Sequence, residues 1–217
     1  MKEILQQTRI FFILFVLYLV VPGFTLLVTA KGQFEIWLNT FHTNYFDNFF
    51  YWTTYFGDGF FAAFIILFIL LFVNVRVGLL ITFILLIVSA ITQVLKQFVF
   101  PRSERPIAYF KDTIELHFVP GLEIHSSNSF PSGHTTQAFC LFFLFSFYFT
   151  NKSYQYLFFV MASLAAISRV YLLQHFLVDI YVGAVIGTIG SLLCLQFANQ
   201  KNLLSHPALN KPLINIG

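Results

Sequence analysis

The sequence predicts an all-α polytopic membrane protein, and three observations lead to that fold class. Hydrophobic residues make up 58% of the 217 residues and charged residues only 10%, whereas a soluble domain carries about 25% charged residues. The mean hydropathy is +0.79. Several apolar stretches approach the ~20 residues that a helix needs to cross the hydrocarbon core of a bilayer. We therefore predict a six-transmembrane-helix bundle that forms a single integral membrane domain over residues 1–217.

The six predicted spans are long apolar stretches separated by polar connections. They lie near residues 9–30, 49–73, 77–99, 133–150, 154–174 and 177–198. The first is also compatible with a cleaved signal peptide that ends at Val28-Thr29-Ala30, although its apolar stretch is longer than a usual signal core. After it, Phe34, Trp37, Leu38 and Phe41 recur at helical spacing among polar neighbours. That spacing predicts an amphipathic helix lying in the membrane interface.

The one long connection, residues 101–132, is predicted to cover one end of the bundle. Two alternating segments flank Pro120-Gly121 within residues 114–125, and this pattern predicts a small hairpin. His117 and His125 would bind a metal only if the hairpin turned them together. Because they lack an acid or Cys ligand set, surface histidines are the favoured interpretation. We predict no metal and no cofactor.

The distribution of positive charge predicts the orientation of the bundle. With the N-terminus inside, the inner segments hold Lys2, Arg9, Arg76, Lys152, Lys201 and Lys211. The outer segments hold Lys31 and Lys111, together with four cations that fall in a predicted polar site: Lys96, Arg102, Arg105 and Arg169. Once those four are set aside, the positive-inside rule places both termini in the cytoplasm and the long connection outside. The net charge of +3 is modest and comes without a basic run, so we predict no nucleic acid partner.

A pair of isolated charges in apolar sequence indicates a catalytic centre at the membrane surface. Between Lys152 and Lys201 the only Asp, Glu, Lys or Arg residues are Arg169 and Asp179, and His175 lies between them. A charge at membrane depth costs about 2.5–3.5 kcal/mol on insertion scales, so these side chains should share a polar site. His175 and Asp179 are four residues apart, on one face of a helix. Such a carboxylate can hold the imidazole in one tautomer.

Two further polar clusters fall at the same predicted membrane boundary. One closes the third span, between Lys96 and Pro106, and the other opens the fourth with Pro131-Ser132-Gly133-His134. Pro and Ser suit the start of a helix, and the free N–H groups there form an anion site. Lys96, Arg105 and Arg169 would add positive charge, and arginine suits phosphate oxygens. The sequence therefore predicts a phosphate site.

At these residues the chain resembles the type 2 phosphatidic acid phosphatase superfamily of membrane lipid phosphatases, whose fold is shared with glucose-6-phosphatase and vanadium haloperoxidases. The third motif of that family, SRxxxxxHxxxD, matches at Ser168, Arg169, His175 and Asp179. Its second, PSGH, matches at residues 131–134. The resemblance covers about residues 55–198.

The first motif of the family departs from the usual spacing. It is usually a Lys, six residues and then Arg-Pro, whereas here eight residues separate Lys96 from Arg105-Pro106. Arg102 is therefore an alternative to Arg105 as the phosphate ligand, although the Arg-Pro pair favours Arg105. Asp58, within the second span, would line the lipid entrance, hold an active-site cation or make a purely structural polar contact.

The resemblance implies a role for each matching residue. His175 would attack phosphorus and form a phosphohistidine, Asp179 would orient it, and His134 would protonate the leaving oxygen. The phosphoryl oxygens would be held by Lys96, Arg105, Arg169, Ser132 and the backbone of Gly133. The family needs no metal. Phosphoryl transfer works mainly by positioning and charge neutralisation, which agrees with a cation-rich site.

The expected function is hydrolysis of a lipid phosphomonoester or diphosphate at the outer face of a bacterial inner (cytoplasmic) membrane. The candidate substrates are undecaprenyl diphosphate, lipid A phosphate, phosphatidylglycerol phosphate and phosphatidic acid. A lipid phosphotransferase that uses the same site is an alternative, and a non-enzymatic anion or lipid transporter is a rival of another class. Repeated broken helices would support a transporter, and the sequence shows none. The oligomeric state has no sequence signal.

Overall fold

The computed structural model describes residues 1–111 and 113–214. Helices dominate this part of the chain, which contains no β-strand. The helices are α1 Lys2–Gln7, α2 Arg9–Val28, α3 Gln33–Asn39, α4 Asn44–Thr53, α5 Gly59–Phe72, α6 Val75–Val94, α7 Pro106–Tyr109, α8 Gly133–Tyr148, α9 Lys152–Tyr171 and α10 Leu177–Gln200. A π-helical segment, Leu95–Val99, extends α6, and 3-10 turns occupy Thr54–Gly57 and Pro207–Leu209. The all-α prediction is confirmed.

Polar side chains start the long helices at the positions where the sequence turns apolar. The Asp58 carboxylate accepts a hydrogen bond from Phe60 N at the start of α5, at 2.7 Å. Asn74 begins α6 and Asn151 begins α9 through equivalent bonds of 3.1 and 2.9 Å. Such caps satisfy backbone N–H groups that have no partner within the helix, and each stabilises it by about 1 kcal/mol.

Helix α8 is the centre of the bundle. Eleven of its residues are buried, and they are apolar or small on every side of the helix. It packs against α6, α9 and α10, which is the environment expected for a helix without a polar face. By contrast, α2 is peripheral, because the side chains of Leu17, Val21 and Leu27 are mostly exposed. In a bilayer those side chains would contact lipid.

Within residues 1–111 and 113–214, three helical segments are long and apolar enough to cross a membrane by themselves. They are Arg9–Val28, Val75–Val99 and Leu177–Gln200. The pair Asn44–Gly57 and Gly59–Phe72 forms a fourth span if it is counted as one element, bent by 53°. The protein is therefore an integral membrane protein. The predicted spans at 133–150 and 154–174 are helical as α8 and α9, but α8 has only 16 residues.

The predicted hairpin is wrong for residues 114–125. The chain turns at Pro120-Gly121, but the two flanking segments form no ladder with each other. Their backbone groups bond elsewhere: the amide of Asn39 accepts from His117 N at 3.0 Å and donates to His117 O at 2.8 Å. Gln174 binds Glu123 O at 3.3 Å. The connection is thus fixed by the helices beneath it, which local alternation of polarity does not reveal.

The amphipathic helix predicted from Phe34, Trp37, Leu38 and Phe41 forms as α3, and a second helix, α4, begins shortly after it. The polar face of α3 is the buried one. Trp37 and Phe41 are about half exposed, whereas Glu35 and Asn39 are buried. Aromatic side chains facing outward suit a lipid interface. The polar face of α3 is therefore turned toward the interior of the protein, where the predicted site lies.

Candidate active site

Close contact between α8 and α10 brings two of the predicted clusters together. Ser132 N, just before α8, donates to Asp179 O in the first turn of α10 at 3.0 Å. Gly183 permits this approach, because a Cβ at that position would lie 2.8 Å from Ser132 O. A side chain there would force the helices apart. The PSGH segment and the His175–Asp179 segment consequently meet at one end of the bundle.

His175 is held by its Nδ1 atom in a buried environment. Nδ1 lies 3.2 Å from Asp179 Oδ2, and the side chain is only 1% exposed. The same carboxylate oxygen accepts bonds from Phe176 N at 2.9 Å and from the Ser129 hydroxyl. These bonds keep the carboxylate in place, so Nδ1 carries the proton and Nε2 keeps its lone pair. Burial lowers the pKa of His175 well below its usual value, and nearby Arg105 and Arg169 lower it further.

Arg105 and Arg169 come from separate elements and meet at one side chain, Gln174. Arg105 Nη1 donates to Gln174 Oε1 at 3.0 Å, and Arg169 Nη2 donates to the same oxygen at 3.4 Å. Arg105 Nε also donates to Ser127 O at 2.9 Å, and Arg169 Nη1 to Thr54 Oγ1 at 2.8 Å. Both arginines are largely buried. The structure thus assembles two guanidinium groups beside His175.

Lys96 reaches the same region from the π-helical end of α6. Its ammonium group donates to Asn128 O at 3.0 Å. Widened turns of this kind interrupt regular helix geometry and are frequent at functional sites. Arg102 is exposed and adopts a left-handed backbone conformation with φ 61°. Of the two candidates in the first motif, the structure therefore brings Arg105 into the cluster and leaves Arg102 outside it.

The start of α8 fits an anion. A Cβ on Gly133 would meet nothing within 4 Å, so this residue leaves space in front of the helix start. Ser132 caps the helix, accepting from Thr135 N at 3.4 Å and from Thr135 Oγ1 at 3.0 Å, which leaves its own hydroxyl proton available. Arg169 Nε is buried without a hydrogen-bond partner in the described part of the chain. Donors that lack a protein acceptor suit phosphoryl oxygens.

His134 lies one residue into α8 and faces Asp58. Its Nε2 atom is 3.7 Å from Asp58 Oδ2, and both side chains are partly exposed. Gly57 makes this neighbourhood possible, because a Cβ there would lie 2.6 Å from His134 O. The bend between α4 and α5 therefore delivers a carboxylate to the histidine of the PSGH segment.

Ser168, the first residue of the third motif, does not join the cluster through its side chain. Its hydroxyl donates to Ala165 O within α9 at 2.8 Å, and the residue is fully buried. That bond satisfies a polar group inside a helix, so Ser168 helps to pack α9.

Three residues in or beside the site were not among those predicted from the sequence. Ser129 and Gln174 contact the predicted catalytic and phosphate-binding side chains. Glu35, buried on α3, accepts a hydrogen bond from Leu177 N at 2.7 Å and so caps the start of α10 from another helix. An acidic residue within an otherwise aromatic interfacial segment was the one available hint.

The assembled geometry combines a buried imidazole paired with a carboxylate, a second histidine paired with Asp58, and a group of donors suited to a phosphoryl group. Proteins of known structure share its framework. Aquifex aeolicus LpxE superposes with a TM-score of 0.65 at 24% identity, covering 78% of this chain and 97% of that one. The first transmembrane PAP2 type phosphatidylglycerolphosphate phosphatase from Bacillus subtilis superposes with a TM-score of 0.61 at 22% identity, covering 88% and 98%.

Comparison with curated protein sequences gives no significant match. The model of a protein family, described as the PAP2 superfamily, matches residues 77–203. That range is more than half of the chain, and it contains all three motifs. With the motifs gathered at one end of a transmembrane helical fold, the match leads to one conclusion: this chain belongs to the PAP2 superfamily.

Proposed function

We propose that this protein is a metal-independent membrane phosphatase that removes phosphate from a lipid through a phosphohistidine on His175. The observation that supports this most directly is the buried His175 Nδ1–Asp179 pair beside two arginines. A nucleophile fixed at one nitrogen and surrounded by phosphate-binding donors is the arrangement that phosphoryl transfer needs. Membership of the PAP2 superfamily supports the same reaction class.

The first step transfers the phosphoryl group to the enzyme. His175 Nε2 attacks phosphorus, the P–N bond forms, and the bond between phosphorus and the lipid oxygen breaks. His134 gives its proton to that leaving oxygen. Lys96, Arg105, Arg169, Ser132 and the backbone N–H of Gly133 hold the other phosphoryl oxygens and stabilise the charge that develops on them. In the second step water attacks phosphorus, His134 takes the proton, and the P–N bond breaks.

Asp58 is assigned to the proton donor. The Asp58 carboxylate lies 3.7 Å from His134 Nε2, where it can stabilise a positive charge on that ring. Of the three roles considered for Asp58, the proposal therefore takes the one in which it holds an active-site cation, here the protonated His134. Two histidine–carboxylate pairs would then serve the two proposed roles: Asp179 orients the nucleophile His175, and Asp58 supports the proton donor His134.

The proposed setting is the outer face of a bacterial cytoplasmic membrane, with six spans and both termini inside. The distribution of lysine and arginine supports this orientation. The proposed substrates remain lipid A phosphate, phosphatidylglycerol phosphate, phosphatidic acid and undecaprenyl diphosphate. A site that brings two arginines together at Gln174 would recognise the phosphate that all four of these head groups share.

The function is tested by measuring phosphate release from those four lipids by purified protein in the presence of EDTA. We expect release from at least one lipid, loss of release in His175→Ala, and unchanged lipid binding in that variant. In water enriched in ¹⁸O, hydrolysis places one heavy oxygen in the released phosphate. Phosphate appearing on an added lipid acceptor instead would make the protein a phosphotransferase. Full activity in His175→Ala would refute the proposed chemistry.

A further inference from the structure

A neutral amide lies between the two arginines of the site. Gln174 is 3% exposed, and its Oε1 atom accepts hydrogen bonds from Arg105 Nη1 at 3.0 Å and Arg169 Nη2 at 3.4 Å. Its backbone oxygen accepts a second bond from Arg105 Nη1 at 3.2 Å. One residue therefore links guanidinium groups that come from the segment after α6 and from the end of α9.

The contacts of Gln174 extend to the nucleophile and to the outer connection. The turn after α9 is tight: Arg169 O accepts from Gln174 N at 2.9 Å and from His175 N at 3.1 Å, and Leu173 adopts a left-handed conformation with φ 53°. The Nε2 atom of Gln174 donates to Glu123 O at 3.3 Å. Any movement of Gln174 would thus also displace His175 in the turn and Glu123 in the outer connection.

The chemistry of an amide suits this position. Two guanidinium groups repel each other, and each has N–H donors that need acceptors when buried. An amide oxygen accepts from both without changing the net charge, so the site keeps its attraction for phosphate. A carboxylate would bind the arginines more strongly, but it would compete with the phosphoryl oxygens for the same donors. An apolar side chain would remove the acceptor of Arg169 Nη2 and would leave Arg105 Nη1 with only the backbone oxygen.

We propose that Gln174 is a positioning residue that aligns Arg105 and Arg169 for the phosphoryl group while preserving the positive charge of the site. This inference rests on the proposed function for its kinetic part. Its binding part concerns an oxyanion alone and is measured independently. Gln174 acts through the two arginines, so its effect should become smaller when one of them is changed.

The experiment measures the Kd of orthovanadate by calorimetry, together with kcat and KM, for Gln174→Met and Gln174→Glu. We expect the Kd to rise about tenfold or more in both variants, because a hydrogen bond to a charged group is lost or redirected. Gln174→Glu, which keeps the shape of the side chain, should also lower kcat/KM by at least the same factor. Gln174→Asn, which keeps the amide at shorter reach, should fall between wild type and Gln174→Met.

The matched control is Gln155→Met, which removes an equally buried amide at the opposite end of the bundle. Gln155 is also 3% exposed, and its side chain binds Gln7 O and Ile10 N. We expect this variant to melt at a lower temperature and to keep the wild-type Kd for vanadate. A rise in Kd equal to that of Gln174→Met would show a general effect of losing a buried amide and would overturn the proposal.

A double-mutant cycle with Arg105→Lys separates positioning from folding. In the Arg105→Lys background, Gln174→Met should raise the vanadate Kd by a clearly smaller factor than in the wild type, because only the hydrogen bond from Arg169 is left to lose. Fully additive effects would overturn the inference. If wild-type protein releases phosphate from no lipid and yet binds vanadate in a Gln174-dependent way, the proposed function fails and the positioning role stands.

Discussion

The chemistry of His175 depends on how far the surrounding chain removes its ring from water. Asp179 stabilises a charged imidazole, whereas burial and the three cations nearby oppose it. The balance is a pKa well below the usual value of 6.5, with burial as the first cause and Arg105 the second. The imidazole therefore stays unprotonated at neutral pH, as the proposed attack on phosphorus requires.

The lowered pKa predicts the acid side of the pH–rate profile. Because His175 loses its lone pair only when protonated, kcat/KM should stay level as the pH falls through 6.5 and decline at lower values. The measurement is kcat/KM between about pH 4.5 and 8, corrected for the separately measured ionisation of the substrate phosphate. Arg105→Gln should move the decline to higher pH, since it removes one cation that opposes protonation. A decline that begins above pH 6.5 in the wild type would contradict the prediction.

At the scale of elements, the site depends on places where two backbones approach without side chains between them. Gly183 lets α10 contact the residues that start α8, and Gly57 lets the α4–α5 bend contact His134. Each contact joins segments that are far apart in the sequence. The geometry of the histidines consequently depends on helix spacing as much as on the catalytic residues themselves.

The contact at Gly57 can be tested against a neighbouring glycine. Gly57→Ala would place a Cβ 2.6 Å from His134 O, whereas a Cβ at Gly59 would meet nothing within 4 Å. We expect Gly57→Ala to lower kcat by about tenfold or more, because displacement of a catalytic group by an ångström has effects of that size. Gly59→Ala should keep wild-type kcat and stability, or gain slightly in stability. The measurements are kcat and the melting temperature; equal activity in the two variants would contradict the steric argument.

At the scale of the whole molecule, the proposed six-span topology fixes which side each connection occupies. The α8–α9 connection, next to Lys152 at the start of α9, would lie inside, and the long connection, with Glu115, would lie outside. Both residues are exposed, so both can carry a reporter. Because α8 has only 16 residues, it is the helix whose crossing most needs a direct test.

Cysteine labelling provides that test. In protein with Cys140 and Cys194 replaced, Glu115→Cys should react with a membrane-impermeant maleimide in intact spheroplasts. Lys152→Cys should react only after the membrane is permeabilised. The extent of labelling on gels is the measurement, and denatured protein gives the maximum for each variant. Equal labelling of the two positions in intact spheroplasts would show that α8 does not cross, and the six-span topology would be wrong.

The sequence by itself determined the features whose free-energy cost does not depend on the fold, namely long apolar stretches and the charges within them. Long apolar stretches predict membrane helices. Charges such as Arg169 and Asp179 within apolar sequence predict a functional site, because placing a charged side chain in lipid costs free energy. The family motifs are local in sequence, so they are visible without coordinates. These signals were sufficient for the all-α fold class and for the three polar clusters.

Only the tertiary structure decided which groups meet. The eight-residue spacing of the first motif left Arg102 and Arg105 open, and burial against Ser127 and Gln174 separates them. Nothing in the sequence distinguishes Gln174 from other polar residues. Only the structure shows that its Oε1 atom accepts hydrogen bonds from two arginines. The hairpin prediction failed because the backbone of residues 114–125 bonds to distant side chains. Long-range hydrogen bonds depend on how helices pack, and no local pattern of residues specifies that.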